Sequence, residues 1–209
     1  MEIICKQWTE YLEINGYGIE DILSLIKEAY GERAKEGISF ATLNYSVDDF
    51  LTERTKADYW FLAFDDDQCL CGTARLTVKG NSGEICNFAV APKSQGKHVG
   101  SQLLQAANRF ANKQKLDHVI SFTATNANSS VRCHCSNGFV IVGIEIGLYR
   151  NYSSYIFRYQ ISPSFYWNNS LLVKLRFLKS YMKYRIAKKS NGQNTIIGNT
   201  FIYIKDKLN

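Results

Sequence analysis

The chain has 209 residues, 45% apolar and 21% charged, with two prolines, which supplies a sizeable core and argues against low-complexity linkers. Its longest apolar stretches run under ten residues, too short to span a bilayer, and "MEIICKQWTE" lacks an apolar signal segment, so no signal peptide is expected. The net charge of +6 is uneven: residues 163–209 hold nine Lys/Arg and one Asp, whereas residues 1–162 hold 16 Lys/Arg against 18 Asp/Glu.

In chain order, Ile19, Ile22, Leu23, Leu25, Ile26 and Ala29 form a helical stripe in "IEDILSLIKEAYGERAKEG", ended by glycines. "SVDDFLTERTK" predicts a short second helix, with a serine cap and acidic first-turn residues. "DYWFLAFDDDQCLCGTARLTVKG" predicts a hairpin: an aromatic strand, an acidic turn, and a strand from about Cys69 to Val78. "EICNFAVAP" is an apolar strand stopped by Pro92. Val99, Leu103, Leu104, Ala107, Phe110 and Ala111 then trace one helix face. A strand in "DHVISFTAT", a short helix in "NSSVRCHCSNG" and strands in "FVIVGIEIG" and "SYIFRYQIS" complete the body. The order α-α-β-β-β-α-β-α-β-β over residues 19–162 predicts a mixed α/β sheet with helices on its faces.

The six cysteines, at 5, 69, 71, 86, 133 and 135, include two C-x-C pairs but no zinc set. Consecutive helical residues point about 100° apart, so Cys133, His134 and Cys135 cannot converge on one ion, and no metal is expected. The thiols suit reduced structural residues in a cytoplasmic protein, with Cys69 and Cys71 a small buried pair on one strand face.

"SQGKHVGSQLL", residues 94–104, joins the third predicted strand to its helix. A glycine-bearing turn that opens a helix presents free backbone N–H groups and the positive end of the helix dipole to an anion. Lys93 and Lys97 add positive charge, and Ser101 brings a hydroxyl. The turn lacks Gly-Lys-Ser/Thr and G-x-G-x-x-G, so it is neither a Walker loop nor a dinucleotide turn. Taken alone it also fits an ordinary polar turn.

With its preceding strand, "EICNFAVAPKSQGKHVGSQLL" resembles the acyl-CoA-binding segment of the GNAT superfamily of N-acetyltransferases, whose turn is Gln/Arg-x-x-Gly-x-Gly/Ala. Here the turn is Gln95-Gly96-Lys97-His98-Val99-Gly100. His98 stands where the family usually has glycine, and a side chain there is expected to keep negative φ and point outward. "SSVRCHCSNGF" resembles the family's next helix, ending in Gly-Phe, and "FTATNAN" its fifth strand and loop. The resemblance covers about residues 3–160, so a GNAT-like domain over 1–162 and a C-terminal extension over 163–209 are expected.

The resemblance implies direct attack of an amine on the thioester of acetyl-CoA, with a small amine or amino sugar as acceptor. A protein amino group, or a catalytically silent acyl-CoA-binding or interaction module, are the alternatives. It assigns the pantetheine arm and oxyanion to the backbone of Phe88, Ala89 and Val90. The pyrophosphate falls to Gln95, Gly96, Lys97, His98, Val99, Gly100 and Ser101. His134, four residues before Gly138, stands where many members carry a tyrosine acid; it is a general acid or a polar contact. Glu84 occupies the slot of a catalytic glutamate, as a base acting through water or as a solvent-facing strand end. Asn126 and Asn128 position the cofactor or cap the helix.

In the extension, Leu171, Leu175, Leu178, Met182 and Ile186 lie on one helical stripe among basic residues. Such a helix could rest on anionic lipid or nucleic acid, or pack on its own domain or a second subunit of a homodimer. "TIIGNTFIYIK" predicts terminal strands, with a hairpin at Gly198-Asn199.

Overall fold

The computed structural model describes residues 1–7, 13–35, 38, 40–52, 57–145 and 152–162, together with positions 175, 178, 179, 181 and 182. The elements are β1 (Glu2–Gln7), α1 (Ile19–Ala34), α2 (Val47–Thr52), β2 (Asp58–Phe64), β3 (Leu70–Lys79), β4 (Ser82–Val90), α3 (Val99–Lys113), β5 (His118–Ala124), α4 (Asn128–Ser136), β6 (Val140–Glu145) and β7 (Ser154–Gln160). Seven strands form one sheet in the order β1-β2-β3-β4-β5-β7-β6. Only β4 and β5 pair in parallel, because α3 carries the chain across between them.

Both faces of the sheet are covered, which is why β2 runs apolar and aromatic from Tyr59 to Phe64. Trp60, Leu62 and Phe64 point to one face and meet Ile22, Leu25, Ile26 and Ala29 of α1. Phe61 and Ala63 point to the other face, and join Leu76, Ile85 and the Val99, Leu103, Leu104, Ala107 and Ala111 stripe of α3. Each large apolar side chain removed from water in this way contributes roughly 1.5–3 kcal/mol. The expected stripes on both helices are buried except at two edge positions: Ile19 is half-buried, and Phe110 packs against the rings of Tyr59 and Phe61.

Local signals set two of the element ends. Ser46 and Asp49 form a reciprocal capping box before α2: Asp49 N donates to Ser46 Oγ (3.1 Å) and Ser46 N donates to Asp49 Oδ2 (2.8 Å). Gly138 follows α4 with φ +83°, and a β-carbon on it would stand 3.2 Å from the Tyr159 ring. The Gly-Phe pair therefore ends the helix by geometry, and Phe139 drops into the core at 2% exposure.

Four expectations need correction. Strand β1 was not anticipated; it is an edge strand on β2 whose residues are mostly exposed or half-buried, so it carries no apolar alternation. Gly31 lies inside α1 and does not end it. Cys69 precedes β3, with its N–H donating to Asp65 Oδ1 (2.9 Å), so only Cys71 of the expected pair is buried. Neither Asn126 nor Asn128 caps α4, since Ala127 occupies that position. In the extension, Leu175, Leu178 and Met182 are helical and exposed. Leu171, Ile186 and the expected terminal strands lie outside the described residues. No helix among the described residues is long and apolar enough to cross a membrane.

Candidate active site

The parallel ladder between β4 and β5 starts at Ser82/His118 and ends at Ile85/Ser121. Past that rung the strands part. On its other side β4 carries a bulge: the register with β3 skips between Thr73 and Arg75, and Asn87 takes φ +47°. Cys86 to Val90 thus line a cavity of about 520 Å³, a size typical of ligand sites, and their β5-facing edge has no partner strand among the described residues. Such an edge offers backbone N–H and C=O groups to a ligand that itself carries amides.

At one end of this wedge the chain turns through Gly96, with φ +79°, into α3. The first helical bond runs from Gln102 N–H to His98 O, so the N–H groups of Val99, Gly100 and Ser101 have no partner within the helix. His98, the N-cap, makes no side-chain cap, and no acidic residue stands in the first turn. The arrangement is that of an anion cradle, in which the helix dipole alone contributes roughly 0.3–2 kcal/mol. Gly100 keeps the cradle open: a β-carbon there would meet Phe88 Cζ at 3.1 Å and Cys133 Sγ at 3.3 Å. The negative φ expected at His98 is wrong. The residue is left-handed, with φ +63° and ψ +9°, a conformation histidine tolerates better than most side chains.

A family model described as the acetyltransferase (GNAT) family matches residues 19–139. The chain belongs to the GNAT family. Among solved structures, the chain is similar to the ribosomal-protein-S18-alanine N-acetyltransferase of Escherichia coli (TM-score 0.58, 15% identity, 78% of this chain and 96% of that one). It is also similar to PaiA N-acetyltransferase of Thermoplasma acidophilum in complex with coenzyme A (TM-score 0.58, 19% identity, 77% and 99%). A third is a spermidine N-acetyltransferase chimera of Vibrio cholerae SpeG and hSSAT (TM-score 0.60, 18% identity, 77% and 96%). At these identities the likeness is one of fold. No protein of curated function matches the chain.

GNAT membership makes the protein an acyltransferase with acetyl-CoA as donor. The wedge fits that donor: an unpaired strand edge for the amide-bearing pantetheine arm, and an uncapped helix N-terminus for the pyrophosphate. When bound, acetyl-CoA supplies an activated acetyl carbon and a thiolate leaving group. Phe88, Ala89, Val90, Gln95, Gly96, His98, Val99, Gly100 and Ser101 all line the cavity. Lys97, Asn126 and Asn128 do not, although Asn126 Oδ1 accepts from Arg33 Nη2 (3.5 Å), and Arg33 does line it.

Both expected catalytic side chains stand elsewhere than expected. Glu84 lies on the paired side of the Ile85/Ser121 rung, its Oε2 2.9 Å from Lys79 Nζ, outside the cavity lining. His134 is fully buried, its ring packed among those of Phe88, Phe139 and Phe157, and it does not line the cavity. Its Nδ1 lies 2.8 Å from Ser130 O and its Nε2 lies 2.9 Å from Ser121 Oγ. Burial pushes the imidazole down to about 4, with the Ser130 carbonyl opposing the shift. His134 therefore cannot hand a proton directly to a ligand. Ser121 touches the cavity in its place. The sequence marks it: Val119, Ser121 and Thr123 share one strand face, and two of the three are polar.

Two thiols line the cavity, Cys86 and Cys133. Burial pushes both up, at Cys86 with help from Glu84, so both stay protonated and neither is an activated nucleophile. On the sheet face that carries α1, the wall is aromatic and basic: Tyr30 stacks on Phe40 at 4.7 Å, Phe40 meets Tyr152 at 5.6 Å, and Arg33 stands beside them in the lining. Because α1 and α3 lie on opposite faces, the wedge is bounded by different chemistry on its two sides.

Proposed function

We propose that this protein acetylates the primary amine of a small molecule, by direct attack of the amine on the acetyl group of acetyl-CoA. The observation that carries the reading is the parting of β4 and β5 beyond Ile85/Ser121, which sets a through-sheet wedge beside the uncapped start of α3. Acetyl-CoA enters on the α3 and α4 side, held by the backbone of Phe88 to Val90 and the turn from Gln95 to Ser101. The acceptor enters past Tyr30, Arg33 and Phe40. The raised thiols at Cys86 and Cys133 support direct attack rather than an acyl-enzyme route.

The described lining includes Arg33, Arg132 and His98 and no Asp or Glu. Such a wall disfavours polycationic acceptors such as polyamines, and supports an amine carried on an aromatic, sugar or anionic body. All described lining residues fall between Ala29 and Ser136, which supports the domain over 1–162 as the catalytic unit. The six unpaired thiols support a cytoplasmic setting.

The test is CoA release from acetyl-CoA against phenylethylamine, glucosamine, spermidine and an alanine-started peptide. Turnover with phenylethylamine or glucosamine well above spermidine is expected. Preference for spermidine or the peptide would overturn the acceptor reading. Absence of release with all four, while acetyl-CoA binds, would favour a silent acyl-CoA-binding module.

A further inference from the structure

His134 and Ser121 are held in one defined hydrogen-bonding state. The Ser130 carbonyl can only accept, so His134 Nδ1 carries the ring proton and donates it across 2.8 Å. The neutral ring then leaves Nε2 bare, and at 2.9 Å it accepts the hydroxyl proton of Ser121. Ser121 is 2% exposed, sits at the last rung before the strands part and lines the cavity, and with its hydroxyl proton committed to His134 its oxygen can still accept. A bare oxygen acceptor at the vertex of the wedge is the group that an attacking amine needs.

We propose that Ser121 is the catalytic residue that moves the proton from the attacking amine to the leaving thiolate, and that His134 is the positioning residue that holds that proton in between. This rests on the acetyl-transfer reading above. The amine nitrogen forms its bond to the acetyl carbon and sheds one proton to Ser121 Oγ, as the Ser121 hydroxyl proton moves to His134 Nε2. The carbon–sulfur bond breaks. The imidazolium returns its Nε2 proton to Ser121 Oγ, and the Ser121 proton goes to sulfur. One proton has passed from nitrogen to sulfur, and both side chains end as they began. The same Ser130 carbonyl that fixes the tautomer also favours the transient imidazolium, while the surrounding phenylalanine rings make it short-lived and ready to return its proton.

Two measurements on the full chain test the relay. The first is ¹⁵N-histidine NMR at neutral pH, which needs no acceptor. A neutral His134 with Nδ1–H is expected, and an Nε2–H tautomer would overturn the proposal, because Ser121 could not then donate to it. The second is single-turnover acetyl transfer to glucosamine or phenylethylamine in Ser121→Ala, His134→Phe and the double variant, with acetyl-CoA affinity followed by calorimetry. Each single variant should slow transfer by roughly 10²–10⁴-fold with affinity within a few-fold of wild type, and the double variant should be no slower than either, because the pair acts as a unit. His134→Gln, whose amide oxygen can still accept from Ser121, should retain more activity than His134→Phe. Normal transfer in folded Ser121→Ala, or multiplicative losses in the double variant, would overturn the relay alone. No transfer by the wild type despite acetyl-CoA binding would overturn the acetyl-transfer reading and the relay with it.

Discussion

Gly100 faces Phe88 across the start of α3, close enough that a β-carbon on Gly100 would stand 3.1 Å from Phe88 Cζ. With Cys133 Sγ at 3.3 Å on the other side, a methyl group has to be absorbed by side chains that line the donor cavity. Gly100→Ala should therefore weaken acetyl-CoA binding by about tenfold, equivalent to about 1.4 kcal/mol, and Gly100→Glu should abolish it by placing a carboxylate at the cradle. Calorimetry reads both. Unchanged affinity in Gly100→Ala would show that the close packing of Gly100 on Phe88 and Cys133 does not shape the donor site.

The left-handed backbone of His98 carries a separate consequence. A side chain at φ +63° costs roughly 1–2 kcal/mol relative to a relaxed backbone, and glycine removes that cost at the expense of its own chain entropy. His98→Gly should leave the protein as stable or raise its melting temperature by about 2–4 °C, and should keep acetyl-CoA affinity. A fall in affinity would show that the imidazole itself holds the donor.

The regular elements were legible because the apolar periods of α1 and α3 and the turn residues of the β2–β3 hairpin are local signals. The anion cradle was legible for the same reason, being six contiguous residues. β1 was not, since six mostly uncovered residues become a strand only by pairing with β2, over fifty positions away. The burial of His134 was equally hidden. Nothing in "VRCHC" marks it as apolar, and the rings that enclose it come from Phe88, Phe139 and Phe157 on three other segments. Glu84 could be placed on its strand from sequence, but its pairing with Lys79 depends on the β3–β4 register.

A buried imidazole, His134, and a half-buried one, His118, make stability depend on pH. Burial holds His118 and His134 down to about 4, with Arg158 adding to the shift at His118. Neither ring nitrogen of His118 finds a hydrogen-bond partner among the described residues. In the unfolded chain both imidazoles take up protons near their ordinary value of about 6.5. Between those values the unfolded state binds more protons, so their contribution to stability is full above about 6.5, falls as pH drops towards 4, and levels off below. The slope for His134 alone is at most about 1.4 kcal/mol per pH unit. Urea denaturation from about pH 7 to 4.5 measures it, and His118→Asn should remove part of the slope. A flat profile over this range would contradict the depressed state of both imidazoles.

Hydrogen exchange of the backbone amides, with and without saturating acetyl-CoA, tests the central claim most directly, because it locates the donor without requiring an acceptor. The account predicts new protection concentrated at residues 86–90 of the parted edge of β4 and at 96–101 of the turn into α3, with global stability raised by roughly 2.7 kcal/mol at about 100 times the dissociation constant. Protection elsewhere, or none at either segment, would contradict the assignment of the β4–β5 wedge as the acetyl-CoA site.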